Sequence, residues 1–438
     1  AWMPVYALTM MEIALELADG GARPAYGDMA SKFFEHFIQI CDAINALGGE
    51  GLWDEGDGFY YDALSSPDGA VARLRVRSMV GLLPLIAVSV LDQSRIVRLP
   101  GFRKRFEWFL TYRRDLARHI SCTETGAGAG SRRWLLAVPS RERLERLLAR
   151  LLDEAEFLSP FGIRSLSKFH RERPYVFRAG GEERRVDYVP GESDSYLFGG
   201  NSNWRGPVWF PVNHLIVEAL MRYHDFYGGR FTVECPTGSG QYRTLAQAAG
   251  EIAGRLAVPM RAGPAGRRPC MGDAATDRRH AGAWWFHEFF DAETGRGLGA
   301  SHQTGWTALV VQAMEIAAAC KKSRRRATKG YDARHHGMPR RNDAEERLMN
   351  ATRKRASIEF VYRGAPGQQV FVAGTFNGWN PQKHQLQEIS PGEYVRRLRL
   401  PPGRHEYKYI VDGVWVPDTE NPDSVSNVHG TRNSVVTA

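Results

Sequence analysis

The stretch Leu197-Phe-Gly-Gly-Asn-Ser-Asn-Trp-Arg-Gly-Pro-Val-Trp-Phe-Pro-Val-Asn213 sets flat apolar rings beside fixed hydrogen-bonding groups. Trp204, Trp209 and Phe210 supply the rings, while Asn201, Asn203, Arg205 and Asn213 supply donors and acceptors. A polyhydroxyl ring compound needs both, because its C–H faces are apolar and its rim is a belt of hydroxyls. The glycines and Pro207 set loop geometry rather than a core strand. Taken alone, the same composition also fits a Gly-rich connection into a helix whose tryptophans are core.

On both sides of this stretch the chain reads as helices joined by long aromatic loops. Leu8, Met11, Leu15 and Ala18 recur at helical spacing with Glu12, Glu16 and Asp19 opposite. The first residues thus already run in a helix, and Ala1 is no initiator Met, so the chain is expected to begin within a domain. Gly27–Leu47 is the clearest helix, with Met29, Phe33, Phe37, Ile40, Ile44 and Leu47 as its apolar stripe. Asp28 is its expected cap, and Gly48-Gly49 its stop. Similar patterns lie at 102–118, 140–152, 211–223, 245–257 and 304–320. Gly126-Ala-Gly-Ala-Gly130 has no strand before it and reads as a loop rather than a phosphate cradle.

The chain has 438 residues, room for two or three domains. Its net charge of +9 is concentrated in one place, since Lys321–Arg355 holds 13 Lys and Arg against four acids. A low-hydrophobicity basic run of this kind reads as a solvated linker, here 321–356, and not as a folded nucleic-acid face. No specific nucleic-acid partner is therefore expected. The five cysteines are scattered and odd in number, with no metal-ligand spacing, which points to a reducing compartment and no bound metal. Val80–Leu91 is apolar but too short to cross a bilayer, so no membrane association is expected. A cytoplasmic location follows as the expectation.

Beyond the linker the period changes. Ile358-Glu-Phe-Val-Tyr362, Val370-Phe-Val-Ala373, Tyr394–Leu400 and Tyr407–Val411 are short strand-like runs separated by Gly, Pro and Asn clusters, as in a β-sandwich.

Five blocks together decide a family. Besides the opening stretch they are Gly51-Leu-Trp-Asp-Glu-Gly-Asp-Gly-Phe-Tyr-Tyr-Asp62, Arg77–Leu85, Phe157-Leu-Ser-Pro-Phe-Gly-Ile-Arg-Ser-Leu-Ser167 and Gly299-Ala-Ser-His-Gln-Thr-Gly-Trp306. In order and content they resemble glycoside hydrolase family 63, the mannosyl-oligosaccharide glucosidase group, particularly its bacterial and archaeal glucosidase-like members. That resemblance implies an (α/α)6 barrel over 1–320, N-terminally incomplete, with its active site in loops at one end. Residues 357–438, through Phe376-Asn-Gly-Trp379, Tyr407-Lys408, Val411-Asp-Gly-Val-Trp415 and Thr431-Arg-Asn433, resemble carbohydrate-binding module family 48 and the glycogen-binding domain of the AMP-activated kinase β subunit. An all-β, immunoglobulin-like sandwich that binds α-glucan is the expectation there.

Glycosidic hydrolysis takes two carboxyl groups, and the resemblance implies inversion, with a general acid and a general base set apart to admit water. It places the base at Glu288, in Phe286-His-Glu-Phe-Phe-Asp291. A pairing of Glu288 with Arg278 or Arg279 is the competing structural reading. The family's acid lies upstream of residue 1 and is not carried over. Trp53, Asp54, Asn203, Trp204, Arg205, Trp209, Gln303 and Trp306 are the expected substrate contacts, although Asp57-Gly-Phe-Tyr-Tyr-Asp62 reads equally as a hairpin. In the module, Trp379 and Trp415 are expected to stack on glucose, with Lys408, Thr431 and Asn433 meeting its hydroxyls. The sum is a cofactor-free, inverting α-glucosidase-like hydrolase acting on oligosaccharide or α-glucan. Hydrolysis of a small glycoside such as mannosylglycerate, and an inactive glycan-binding fragment, are the rivals.

Overall fold

The computed structural model describes residues 2–18, 23–46, 51–65, 69, 71–113, 116, 120–125, 131–179, 181–194, 205–263, 266–276, 284–321, 356–400, 404–421, 423–427 and 431–437. By contacts the chain divides into two compact units, Ala1–Lys329 and Gly330–Ala438. The expected linker at 321–356 lies almost wholly outside the described residues.

In the first unit, α1 (Met3–Leu17) packs on α2 (Pro24–Ala46), and α2 on α3 (Pro100–Tyr112). Each of the three has a proline at its start, where a missing N–H costs nothing. The buried face of α2 is Ala30, Phe34, Phe37, Ile38, Cys41 and Ile44, with Met29 exposed. The stripe read from sequence is thus rotated by about one position, because Phe34 rather than Phe33 meets Phe102, Phe106 and Phe109 of α3. Burying each such ring contributes about 1.5–3 kcal/mol, which overrides the local pattern. Asp28 lies inside the helix rather than at its cap, since Pro24 starts it. Helix α4 (Arg141–Leu151) is capped by the Ser140 hydroxyl and buries Leu144, Leu147, Leu148 and Leu151. Helix α5 (Phe210–Tyr227) packs on α6 (Leu245–Leu256), which starts in a Thr244/Gln247 capping box.

Antiparallel sheets interrupt the helices. Hairpin β1–β2 pairs Trp53–Asp54 with Phe59–Tyr60. A three-stranded sheet sets β5 (Ser131–Ala137) between β3 (Val88–Asp92) and β4 (Ile120–Thr125). The sequence pattern had the 304–320 helix right at its ends, as 304–307 and 310–321, but gave no sign of this sheet. An apolar run such as Val80–Leu91 carries no period, so length and neighbours alone separate strand from helix. Hairpin β6–β7 pairs Phe289–Phe290 with Gly297–Leu298.

The second unit is a sandwich. One sheet has the order β8 (Ala356–Arg363), β11 (Glu393–Leu400), β10 (Gln387–Ser390). The other runs β9 (Val370–Gly374), β12 (Arg404–Val411), β15 (Arg432–Thr437), β14 (Ser424–Ser426), and β13 (Val414–Val416) pairs with β12. Phe360 of β8 meets Tyr407 of β12 edge-on at 4.9 Å, and Tyr362 meets Tyr409 at 5.3 Å. The core therefore lies between the two sheets, and alternate residues of β12 point away from it.

Candidate functional site

Val208 exchanges both backbone hydrogen bonds with Phe290, at 2.8 and 3.0 Å, so the chain at Val208 is bridged to hairpin β6–β7. This pairing joins the opening stretch to the glutamate motif. Trp209 stacks on Phe289 (4.7 Å, 28°) and leans on Trp306 (5.9 Å, 57°). Trp306, at 38% exposure, is the open end of this aromatic shelf. Gln303 donates its backbone N–H to Phe286 at 2.8 Å and starts the helical turn that carries Trp306. The turn of the hairpin is held by Asp291, whose carboxylate accepts the Glu293 and Thr294 N–H groups.

Glu288 sits on this hairpin, half-buried. Its N–H donates to Ala300 at 2.8 Å, and its carboxylate accepts the Ala300 N–H at 3.2 Å. It makes no ion pair among the described residues. Arg278 and Arg279, the competing partners, lie outside them. A carboxylate with a backbone N–H as its one partner among the described residues keeps lone pairs that can accept a proton from a water molecule.

Arg205 is 3% exposed and lies between Asp187 and Asp194, the latter at 2.8 Å. It braces residues 187–194 against 205–209, where Val189 also donates to the Arg205 carbonyl at 2.7 Å. Asn213, which the sequence offers as a ligand group, is spent on structure. Its amide accepts from Ile163 N–H (2.7 Å) and donates to the Ile163 and Trp209 carbonyls. Asn203 and Trp204 lie outside the described residues.

Trp53 and Asp54 fall in a different setting. Both are buried, and the hairpin reading of the segment describes them. Asp54 pairs with Arg75 at 2.9 Å and Arg73 at 3.6 Å, and accepts the Asp57 N–H. Trp53 meets Tyr60 edge-on at 4.8 Å, with the Arg143 and Arg146 guanidinium groups over its ring. Next to it a cleft of about 440 Å³ is lined by Asn45, Glu55, Arg141, Arg143 and Arg146.

Sequence reasoning missed a linked ionic network behind this hairpin. Glu156 accepts from Arg77 (2.8 Å), Arg150 (2.6 Å) and the Ser167 hydroxyl (2.7 Å). Asp57 faces the same two arginines and the Tyr61 hydroxyl. Burial, with Asp57 as acceptor, pushes the Tyr61 hydroxyl up to about 12. It missed His287 as well, though the motif contains it. That ring is buried, and neither nitrogen has a hydrogen-bond partner among the described residues.

In the second unit the five expected contact residues gather on one side. Lys408 lies between the core residues Tyr407 and Tyr409 and so points to the opposite face of β12. Its ammonium donates to the Thr431 hydroxyl at 2.7 Å. Trp379 and Trp415 meet at 6.1 Å and 49°, and Trp415 is 42% exposed. Trp379 follows Gly378, and both adopt positive φ, 59° and 64°.

Residues 102–307 match the family model of the mannosylglycerate hydrolase MGH1-like glycoside hydrolase domain, and residues 356–438 that of the glycogen recognition site of AMP-activated protein kinase. The chain joins an MGH1-like glycoside hydrolase domain to a glycogen-recognition module. Arg205, Trp209, Glu288, Gln303 and Trp306 all fall within the first match, whereas Trp53 and Asp54 precede it. An uncharacterized protein of Saccharomyces cerevisiae is 48% identical over 331 residues, 71% of this chain and 30% of its own length. A probable mannosyl-oligosaccharide glucosidase of Schizosaccharomyces pombe is 29% identical over 172 residues, 39% of this chain and 15% of its own. The mouse AMP-activated protein kinase subunit beta-2 is 32% identical over 99 residues, 23% of this chain and 35% of its own. The chain thus spans only about a third or less of the length of these relatives. No helix among the described residues is long and apolar enough to cross a membrane.

Proposed function

We propose that the first unit belongs to an inverting α-glucosidase-like hydrolase in which Glu288 is the general base, and that the module holds it on an α-glucan. The observation that carries this reading is the half-buried Glu288 carboxylate, which among the described residues takes only the Ala300 N–H, beside Phe289, the ring on which Trp209 stacks. The shelf offers a sugar apolar contact, Gln303 offers an amide, and Glu288 takes a proton from water as the water oxygen bonds to the anomeric carbon. The glycosidic C–O bond breaks on the opposite face, and the leaving oxygen is protonated by the acid partner. Buried Arg205 acts by bracing the loop that carries Trp209. Trp53 and Asp54 act at most from within the scaffold. The similarity to a probable mannosyl-oligosaccharide glucosidase favours a terminal glucose as the sugar. The acid partner is assigned to none of the described carboxylates around Glu288, since Asp187 and Asp194 pair with Arg205 and Asp291 caps a turn.

The helical elements fit an (α/α)6 barrel over 1–320, followed by a linker at 321–356 and the module from 357, and the separate cysteines suit a cytoplasmic setting. Hydrolysis of mannosylglycerate is the second reading, favoured by the description of the matched family. That substrate carries a carboxylate, and the buried Arg205 already has two carboxylate partners.

Sugar release from maltose, kojibiose, nigerose and mannosylglycerate, measured with the chain and with Glu288→Gln, tests the assignment. Glucose release lost in the variant supports it, mannose release supports the second reading, and turnover unchanged by the substitution defeats Glu288 as the base. Trp379→Ala is expected to abolish pull-down on glycogen without unfolding the sandwich, and normal retention would remove Trp379 from the glucan face.

A further inference from the structure

On the tryptophan side of the sandwich, the Asn433 amide is fixed at both ends. Its Nδ2 donates to Glu406 Oε2 at 3.0 Å, and its Oδ1 accepts Asn427 Nδ2 at 2.7 Å. A carboxylate only accepts, so the amide nitrogen must face Glu406 and the oxygen must face Asn427. Asn427 reaches further. Its Nδ2 donates to the Thr431 hydroxyl at 2.8 Å, and its Oδ1 accepts the Thr431 N–H at 3.1 Å. The same hydroxyl takes the Lys408 ammonium at 2.7 Å. Asn433 and Lys408 are both buried, so each needs these partners to be tolerated at all.

We infer that Asn427 and Glu406 are positioning residues of the glucan site, which set the Asn433 amide and, through Thr431, the Lys408 ammonium before a sugar arrives. This rests on the reading of the Trp379–Trp415 side as the glucan face. Among the described residues, one amide N–H of Asn433 and two N–H groups of Lys408 remain for the hydroxyl oxygens of an α-linked glucan. Holding them in place beforehand removes an ordering cost from binding. Without the clamp the amide can turn over and present its oxygen where the sugar needs a donor.

The test is calorimetric titration of β-cyclodextrin, a cyclic α-1,4-glucan, into the whole 438-residue chain. Asn427→Ala and Glu406→Ala are each expected to weaken binding roughly tenfold, with a lowered melting temperature but a folded sandwich. In an Asn433→Ala background, Asn427→Ala is expected to cost clearly less than in the wild type, because only the route through Thr431 to Lys408 is then left for it to act on. Should Asn427→Ala unfold the sandwich, Asn427→Asp keeps an acceptor for the Thr431 N–H, removes the donors to Asn433 and to the Thr431 hydroxyl, and is expected to weaken binding as much. Wild-type affinity in these variants, or a loss that adds in full to that of Asn433→Ala, overturns the inference. Trp379→Ala separates the two levels: if it binds normally the face itself is misassigned, and if it fails while Asn427→Ala binds normally only the clamp is wrong.

Discussion

Hairpin β1–β2 and hairpin β6–β7 each set a carboxylate among aromatic rings, Asp54 beside Trp53 and Tyr60, Glu288 beside Phe289 and Trp209. Their surroundings differ in what neutralises the charge. Asp54 has Arg73 and Arg75 within 3.6 Å, whereas Glu288 has the Ala300 N–H and no cation among the described residues. Sequence neighbours supply Trp53 and Tyr60 in one case and Phe289 in the other, but the cations around Asp54 come from chain that folds back later. A carboxylate tied to two guanidinium groups is a scaffold element, because moving its charge or its proton breaks the pairs. One held only by backbone keeps its lone pairs for chemistry.

The largest expected effect separates the two hairpins directly. Glu288→Gln keeps size and a hydrogen-bond acceptor but removes the base, so kcat is expected to fall about 10²–10⁴-fold with the melting temperature unchanged. Asp54→Ala is expected to do the reverse. Loss of one partner from a buried pair costs about 3–5 kcal/mol, and since the Arg75 side chain is 59% exposed, roughly 2–3 kcal/mol applies here. Urea denaturation measures it. If Asp54→Ala instead raised KM with stability intact, Asp54 would be a substrate contact and the contrast would fail.

Much of this was legible in the chain and some was not. Helices α2, α4, α5 and α6 were readable because their apolar residues repeat at helical spacing, and β8, β9, β11 and β12 because theirs alternate. The three-stranded sheet around β5 was not, since Trp134-Leu-Leu-Ala137 is apolar on both faces and Val88-Ser-Val-Leu91 is too short to show a period. Trp209, Gln303, Trp306 and Glu288 came together because one motif pairs with another through Val208 and Phe290. The fate of Asp54 and Arg205 was hidden, because Arg73, Arg75, Asp187 and Asp194 are identifiable as partners only once the loops have closed.

The glycines of the two hairpins sharpen the contrast at a smaller scale. Gly299 has φ +66°, and a Cβ there would lie 2.7 Å from Glu288 Oε2. Gly58 has φ +63°, and a Cβ would meet the flexible Arg146 side chain. Alanine at either position costs about 1–2 kcal/mol for the left-handed backbone. Gly299→Ala is expected also to lower turnover, about tenfold, by pushing the carboxylate aside. Gly58→Ala is expected to leave turnover alone. Equal effects of the two on kcat would mean that Glu288 is not placed by this contact.

The smallest effect is in acid, where each hairpin has a histidine behind it. Burial holds His170 below its ordinary 6.5, against the opposing pull of the Arg173 carbonyl, with the nearby Arg77 charge lowering it and Glu156 raising it. Its Nε2 accepts the Arg77 N–H at 2.9 Å, which a protonated ring could not do, and its Nδ1 faces the Arg173 carbonyl at 3.0 Å. Burial, then His302 and Arg296, hold His287 low in the same sense. For both, the unfolded chain binds a proton at a higher pH than the folded one, so the stability they permit is complete above about 6.5 and declines as pH falls below it. His170→Gln keeps an acceptor for Arg77 and cannot titrate, so it is expected to flatten part of that decline, and His287→Phe the remainder. Denaturation at pH 7.5 and 5.5 reads the difference in the first unit, the lowered His384 belonging to the second. An acid decline unchanged in both variants would mean that the two rings take up protons without strain, and that the hairpins differ in their carboxylates alone.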